Sequence, residues 1–223
     1  MLDEVTVVIV THNTLHLVSK TVNSFRSFYP GVSMLLIDNA SKDGSTKYIR
    51  SVASRNDNVD MIKMYVNIGH GPAMHIGFET ANTRYVFTLD SDTETIKDRF
   101  IEKMLYEFAT NPRLYAIGWL RMVNGNGVSA GTPKDPENYT RYIHPYAAMW
   151  DRKKYFSLPS FEHTGAPCNR NMAHVKDTEW VVQNFPIKDY VKHLIAGTRR
   201  MWGGSWEAKG APSKWSADRH YPI

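Results

Sequence analysis

Tyr85-Val86-Phe87-Thr88-Leu89-Asp90-Ser91-Asp92 decides how this chain reads, because an apolar run stops there on two carboxylates one residue apart. In an extended backbone, residues two apart face the same side, so Asp90 and Asp92 share a direction. Two carboxylates held that close repel, and one pKa rises unless a cation lies beside them. A divalent metal with oxygen ligands supplies such a counter-charge. The competing reading is a strand that ends in an Asp-Ser turn and caps the next helix.

The residues before it give the context. Val5 to Val10 is a nearly continuous β-branched run, the mark of a parallel strand covered on both faces, and it gives way to Thr11-His12-Asn13. Leu15, Leu17, Val18, Val22 and Phe25 follow at helical spacing as far as Phe28, and Pro30-Gly31 stops the helix. Met34 to Ile37 is a second buried strand, followed by a polar loop from Asp38 to Ser45 and a short helix through Tyr48, Ile49 and Val52. A third strand, Val59 to Tyr65, leads through Asn67-Ile68-Gly69-His70-Gly71 to Pro72, which suits the first turn of a helix running to about Ala81. Four such alternations predict a doubly wound, mostly parallel α/β sheet flanked by helices, with its ligand outside the carboxyl ends of the strands. Thr11, Asn13, Asp38, Asn67 and Asp90 then converge on one rim.

After Asp92 the pattern changes. Phe100 to Ala109 predicts a helix, Leu114 to Val123 a strand, and Asn124 to Asn138 a long Gly/Pro/Asn loop, which suits either a lid or plain surface. Tyr142 to Trp150 returns as a strand, Arg152 to Phe156 and Ala166 to Val175 as helices, and Trp180 to Val182 and Tyr190 to Leu194 as short strands. We expect a single domain over residues 1–223, with a nucleotide-binding half at 1–93, an acceptor-binding half at 94–202 and an irregular tail at 203–223.

Bulk properties narrow the class. A chain of 223 residues buries a full core without staples, and the lone Cys168 rules out an intramolecular disulfide framework, which fits a cytoplasmic compartment. No run approaches the length of a membrane span. A net charge of +5, with many aromatic residues, fits a pocket-bearing enzyme better than a nucleic-acid partner. It is compatible with weak peripheral contact to an anionic membrane surface and leaves the oligomeric state open.

Val8-Ile9-Val10-Thr11-His12-Asn13, Ile37-Asp38-Asn39-Ala40-Ser41-Lys42-Asp43-Gly44-Ser45, Asn67-x-Gly69 with Ala73, Gly77 and Ala81, and Leu89-Asp90-Ser91-Asp92 stand in the order and spacing of the family 2 glycosyltransferases. The chain resembles that family most over residues 5–93. The resemblance implies the GT-A fold and sugar transfer from a nucleotide diphosphate donor, a UDP-sugar first and a dTDP-sugar second, to a glycan or other hydroxyl acceptor. It assigns nucleotide contacts to Thr11, His12, Asn13, Asp38, Asn67, Gly69, Ala73 and Asp90, with His12 standing where the family has Tyr. Asp38 is open to a second role, capping its own turn. The resemblance further implies Mn2+ or Mg2+ on Asp92, with Asp90 nearer the ribose or a metal-bound water. The stretch from Tyr190 to Thr198 is similar to the family's late strand, which makes His193 a third metal ligand or a structural histidine. Arg199 and Arg200 follow as a diphosphate clamp or a solvated basic pair.

Family 2 enzymes invert by direct displacement, so a base must accept the acceptor's proton. The family's Glu-Asp pair is absent here. The matching place offers Glu162 first and His163 second, ahead of Asp177 and Glu179. His144, Tyr146 and Trp150 lie on the strand expected to floor the acceptor side, as sugar-stacking residues or as core. A sugar nucleotidyltransferase would share the sheet but needs a Gly-rich, Arg-containing loop after the first strand, and Thr11 to Leu15 has none. Two further rivals stand beside this reading. One is a non-catalytic nucleotide-sugar or glycan-binding module. The other is an Asp-x-Asp phosphatase, which would place its motif after the first strand and need later Lys and Asp-Asp elements.

Overall fold

The computed structural model describes residues 1–124, 129–130, 135–163 and 166–194. Arg199 and Arg200, the tail from residue 203, and parts of the expected lid lie outside these. The first half alternates as the apolar runs require: β1 (Val5–Thr11), α1 (Leu15–Phe28), β2 (Ser33–Asn39), α2 (Ser45–Ala53), β3 (Val59–Met64), α3 (His70–Thr80) and β4 (Tyr85–Leu89). These four strands are parallel and lie in the order β3-β2-β1-β4. Every residue of β1 is buried because its two faces meet different helices. Val5, Val7 and Ile9 share a cluster with Val18, Val22 and Phe25 of α1, while Val8 and Val10 share another with Ala73, Met74 and Phe78 of α3. Burial on both faces is what removes polar alternation from the sequence.

The second half extends the sheet. It contains β5 (Thr93–Thr95), α4 (Phe100–Thr110), β6 (Leu114–Asn124), β7 (Ser129–Ala130), β8 (Tyr139–Asp151), α5 (Arg152–Tyr155), α6 (Asn169–Val175), β9 (Val181–Asn184) and β10 (Val191–His193). β8 lies antiparallel to β4, β6 antiparallel to β8, and β9 parallel to β6. β5 and β10 form a separate antiparallel pair. Three boundaries differ from expectation. The stretch from 124 to 138 carries β7 and a short 3-10 turn, and β8 begins at Tyr139 because Asn124 pairs with it across the sheet. The helix expected from Ala166 begins at Asn169, after a turn closed by the Asn169 amide on the Ala166 carbonyl at 2.9 Å. α3 begins at His70, two residues before Pro72, which still stands in the first turn where its missing N–H has no intrahelical partner.

β8 does not keep its pairing with β6. Gly118 is opposite Ala148, but Leu120 is opposite Ile143, so Trp119 alone faces the step from His144 to Ala147. Pro145 sits inside this step and has no N–H to give a ladder. The irregularity reverses which face the following residues occupy. Tyr146 belongs to the cluster under α1 and α4, whereas Trp150, four residues on, belongs to the one under α3 and α6.

Trp150 is therefore a core residue and does not floor an acceptor site. It is 0% exposed, its indole N–H donates to the Thr88 hydroxyl at 3.0 Å, and Phe78, Tyr115 and Phe161 pack around it. We expect Trp150→Ala to cost about 3–5 kcal/mol of stability, read as a fall in the urea midpoint, as deletion of a buried aromatic does. A residue that served the acceptor alone would leave that midpoint unchanged.

Candidate active site

The carboxyl ends of β1, β2 and β4 meet, and buried side chains fix how. Thr11 ends β1, and its hydroxyl lies 2.6 Å from that of Thr14, which donates to Ser91 between the two aspartates at 3.2 Å. Since Thr14 donates onward, Thr11 donates to Thr14. All three residues are buried, so this hydroxyl chain ties the first loop to the Asp90-Ser91-Asp92 turn. Thr11 is thus a brace behind the rim. His12 uses Nδ1 on the Asn39 carbonyl at 2.7 Å, which only accepts, so that nitrogen carries the proton and Nε2 accepts from the Asn13 amide at 3.1 Å. Asn13 adopts a left-handed backbone and accepts from the Lys42 amide at 2.7 Å.

Asp38 is 0% exposed and serves its own loop. One oxygen accepts from the Ser41 amide at 3.1 Å and the other from the Thr46 hydroxyl. Asn39, not singled out in the sequence, is the hub of this corner. Its amide nitrogen donates to Asn67 at 2.9 Å and to the Gly69 carbonyl at 3.2 Å, while its oxygen accepts from the Ile68 amide at 3.0 Å. Asn67 also accepts from the Gly69 amide at 2.9 Å, so it shapes the loop entering α3.

α3 aims its N-terminus at the aspartates. Its first residue, His70, places Nε2 3.3 Å from Asp90 Oδ1, a contact that sequence reading missed because a histidine in a first helical turn carries no pattern. Gly69 has φ of 90°, and a Cβ there would meet the His163 ring at 2.4 Å. A Cβ on Gly71 would lie 2.0 Å from the Glu162 carbonyl oxygen. The two glycines thus let the Glu162-His163 segment press onto this helix terminus. Ala73 is fully buried against the sheet and reaches no ligand. Glu162 pairs with Arg170 at 3.3 Å.

The opposite side comes from late in the chain. β10 pairs with β5, setting His193 beside Thr93, and the Leu194 amide donates to the Asp92 carbonyl at 2.8 Å. His193 Nε2 then lies 3.0 Å from Asp92 Oδ1 and 4.0 Å from Asp90 Oδ2. One ligand atom from each of Asp90, Asp92 and His193 falls within 4.8 Å of the others. A divalent cation fits this set: Asp92 is 4% exposed, so its charge needs a partner, and mixed carboxylate and imidazole donors suit Mn2+ better than Mg2+. The turn caps no helix, since β5 follows it directly. Burial pushes the Asp90 carboxyl up, but the His70 hydrogen bond and the charges of His70, His193 and His144 outweigh it and hold the pKa at about 2.

Tyr146 and His144 reach this region from the irregular step in β8. The Tyr146 carbonyl accepts from the Asp90 amide at 2.8 Å, and its ring stacks on His193 with centroids 5.2 Å apart. The His144 ring stacks on Trp119 at 5.5 Å and lies 6.4 Å from His193. Sequence reading missed Trp119. Pro145 inside the strand was the available signal that β8 breaks here and re-aims its neighbours.

With this geometry in place, likeness to known proteins is informative. A model of glycosyl transferase family 2 matches residues 6–174. The chain belongs to glycosyl transferase family 2. It is 30% identical over 107 residues to a poly-beta-1,6-N-acetyl-D-glucosamine synthase of Staphylococcus epidermidis, covering 48% of this chain and 26% of that protein. It is 28% identical over 149 residues to TuaG of Bacillus subtilis, a glycosyltransferase assigned to teichuronic acid biosynthesis, covering 66% and 55%. Among solved structures, the Pyrobaculum calidifontis mannosyltransferase PcManGT with GDP-Man and Mn2+ superposes with a TM-score of 0.66 at 17% identity, covering 82% of this chain and 55% of that one. Staphylococcus aureus TarS with UDP superposes at 0.59 and 14% identity, covering 84% and 59%. The chain thus spans less than two thirds of the length of each of these proteins, and the structural likeness confirms the GT-A fold. The phosphatase reading falls, since the Asp-x-Asp motif stands after the fourth strand of a family 2 sheet.

Burial, together with the positive charges of Arg121, His193 and His70, lowers the His144 pKa from its usual 6.5 to about 3, against a smaller upward pull from Asp90. The unfolded chain therefore binds this proton more readily than the folded one. The resulting stability is whole above about pH 6.5 and is lost as pH falls toward about 3. In chelator, His144→Gln should lose less stability than the parent between those limits, measured by urea titration at each pH. Equal losses would contradict an imidazole held neutral in the fold.

Proposed function

We propose that this chain transfers a sugar from a nucleotide diphosphate donor to a glycan or other hydroxyl acceptor, with inversion at the anomeric carbon. The observation that carries the reading is the Asp90, Asp92 and His193 set, gathered on the rim beside the N-terminus of α3. Asp92 and His193 hold a divalent cation, Mn2+ before Mg2+, and Asp90 completes the set toward the ribose. A cation bound there supplies Lewis acidity toward the leaving diphosphate. The chain's own groups do the rest. The N-terminus of α3 offers a favourable dipole to phosphate oxygens beside Asp90. Asp38, Asn13 and His12 shape the nucleoside corner. Solved relatives contain UDP, UDP-GlcNAc or GDP-Man, and we place a UDP-sugar first and a dTDP-sugar second for this chain.

For the base, Glu162 stands first and His163 second. Both sit against the first turn of α3, whose His70 contacts Asp90. A non-catalytic nucleotide-sugar module is the second reading, favoured by the ion pair that already engages the only carboxylate of the 161–163 segment. No helix of the described residues is long and apolar enough to cross a membrane. The free, buried Cys168 accords with a reducing, cytoplasmic compartment.

Calorimetric titration of UDP, GDP and dTDP with and without Mn2+ tests the donor reading. We expect Mn2+-dependent binding that Asp92→Ala weakens at least about tenfold while far-UV circular dichroism is retained; unchanged affinity in the variant would remove the cation from Asp92. Glu162→Gln should lower turnover by about 10²–10⁴-fold, the range of a lost general base, with donor affinity within about twofold. If His163→Ala shows that pattern and Glu162→Gln does not, the ranking reverses.

A further inference from the structure

We propose that the acceptor side of the cleft carries a subsite for an anionic saccharide, one bearing a carboxylate or phosphate, formed by Trp119 and Lys188. This rests on the glycosyltransferase reading and names the class of acceptor it takes. Trp119 is the single β6 residue that faces the step in β8, so strand pairing leaves it outside the regular ladder. The Lys188 ammonium lies 3.5 Å from the indole centroid, and the Arg121 guanidinium lies 4.7 Å from it. The same ring stacks on His144, which reaches His193, so these cations continue directly from the aspartate and histidine set.

What holds Lys188 matters as much as where it lies. It is exposed, and among the described residues it makes no ion pair; an aromatic ring, not a carboxylate, fixes its position. A cation–π contact orders an ammonium while leaving its charge uncancelled. Lys192, four residues on, is exposed and likewise has no ion pair among the described residues. A neutral glycan asks for carboxylate and amide partners at its hydroxyls, and this corner offers cations on an aromatic ring. An anionic group of the saccharide on the ammonium, which the ring beneath holds in place, uses both features at once. An anionic bilayer is the weaker partner, because Trp119 is half-buried, with Lys188 and His144 against its ring, and is not available for insertion.

The test uses the whole chain and three oligosaccharide-length probes: an oligogalacturonate, a glycerol phosphate oligomer and a neutral malto-oligosaccharide, titrated by calorimetry at low salt. We expect one or both anionic probes to bind at least about tenfold more tightly than the neutral one, and the difference between them tells carboxylate from phosphate. Lys188→Gln and Trp119→Leu should each weaken anionic binding at least about fivefold while UDP and Mn2+ binding stays within about twofold. Trp119→Phe, which keeps a ring beneath the ammonium, should retain most of it and controls for misfolding. Equal binding of the neutral probe, or Lys188→Gln without effect, overturns the proposal. So does Lys188-dependent co-sedimentation with phosphatidylglycerol vesicles when neither anionic oligomer binds. Anion binding intact with no UDP binding keeps the subsite and overturns the donor reading instead.

Discussion

Two carboxylates at the end of one buried strand repel each other, and the rest of the rim is built to hold them there. At about 4 Å and an effective dielectric constant near 20, two unit charges interact by about 4 kcal/mol, a large share of a domain's net stability. His70 answers from the N-terminus of α3 and His193 from β10, one on each side of the pair. The backbone between the aspartates is equally constrained. Thr14 holds the Ser91 hydroxyl, Thr93 donates to the Asp90 carbonyl at 2.9 Å, and Tyr146 takes the Asp90 amide. The charge is thus fixed in direction before any ligand arrives.

How much of this could be read from the sequence depends on the kind of signal each residue carries. β1, β2 and β4 were legible because burial on both faces produces unbroken apolar runs, and Asp90 and Asp92 because those runs end on them. His193 was legible only through resemblance, since one histidine on a three-residue strand has no pattern of its own. Asn39 and His70 were missed for the same reason: their importance lies in partners on other elements. Trp150 was misplaced for a more instructive cause. Period-two reasoning gives His144, Tyr146 and Trp150 a common face, but within the irregular step Tyr146 and Ala147 fall on the same side, which sends Tyr146 and Trp150 to opposite cores.

That step also explains how one sheet serves two partners. β8 is the antiparallel neighbour of β4, so its regular part is committed to the core. By breaking register with β6, the strand frees His144 and Tyr146 to approach His193, while its backbone remains bonded to Asp90. The aspartates and the rings of His144 and Tyr146 therefore share one rigid support.

The contact between Asp92 and His193 joins residues 101 positions apart. A ligand held by both acts as a clasp on chain topology as well as a centre of charge. β10 is a three-residue strand on a two-stranded ribbon, held also by buried Val191 and by the stack of His193 on Tyr146. The late strand is thus fastened to the turn by its own side chain and backbone, and a ligand bound by both residues would add to that hold.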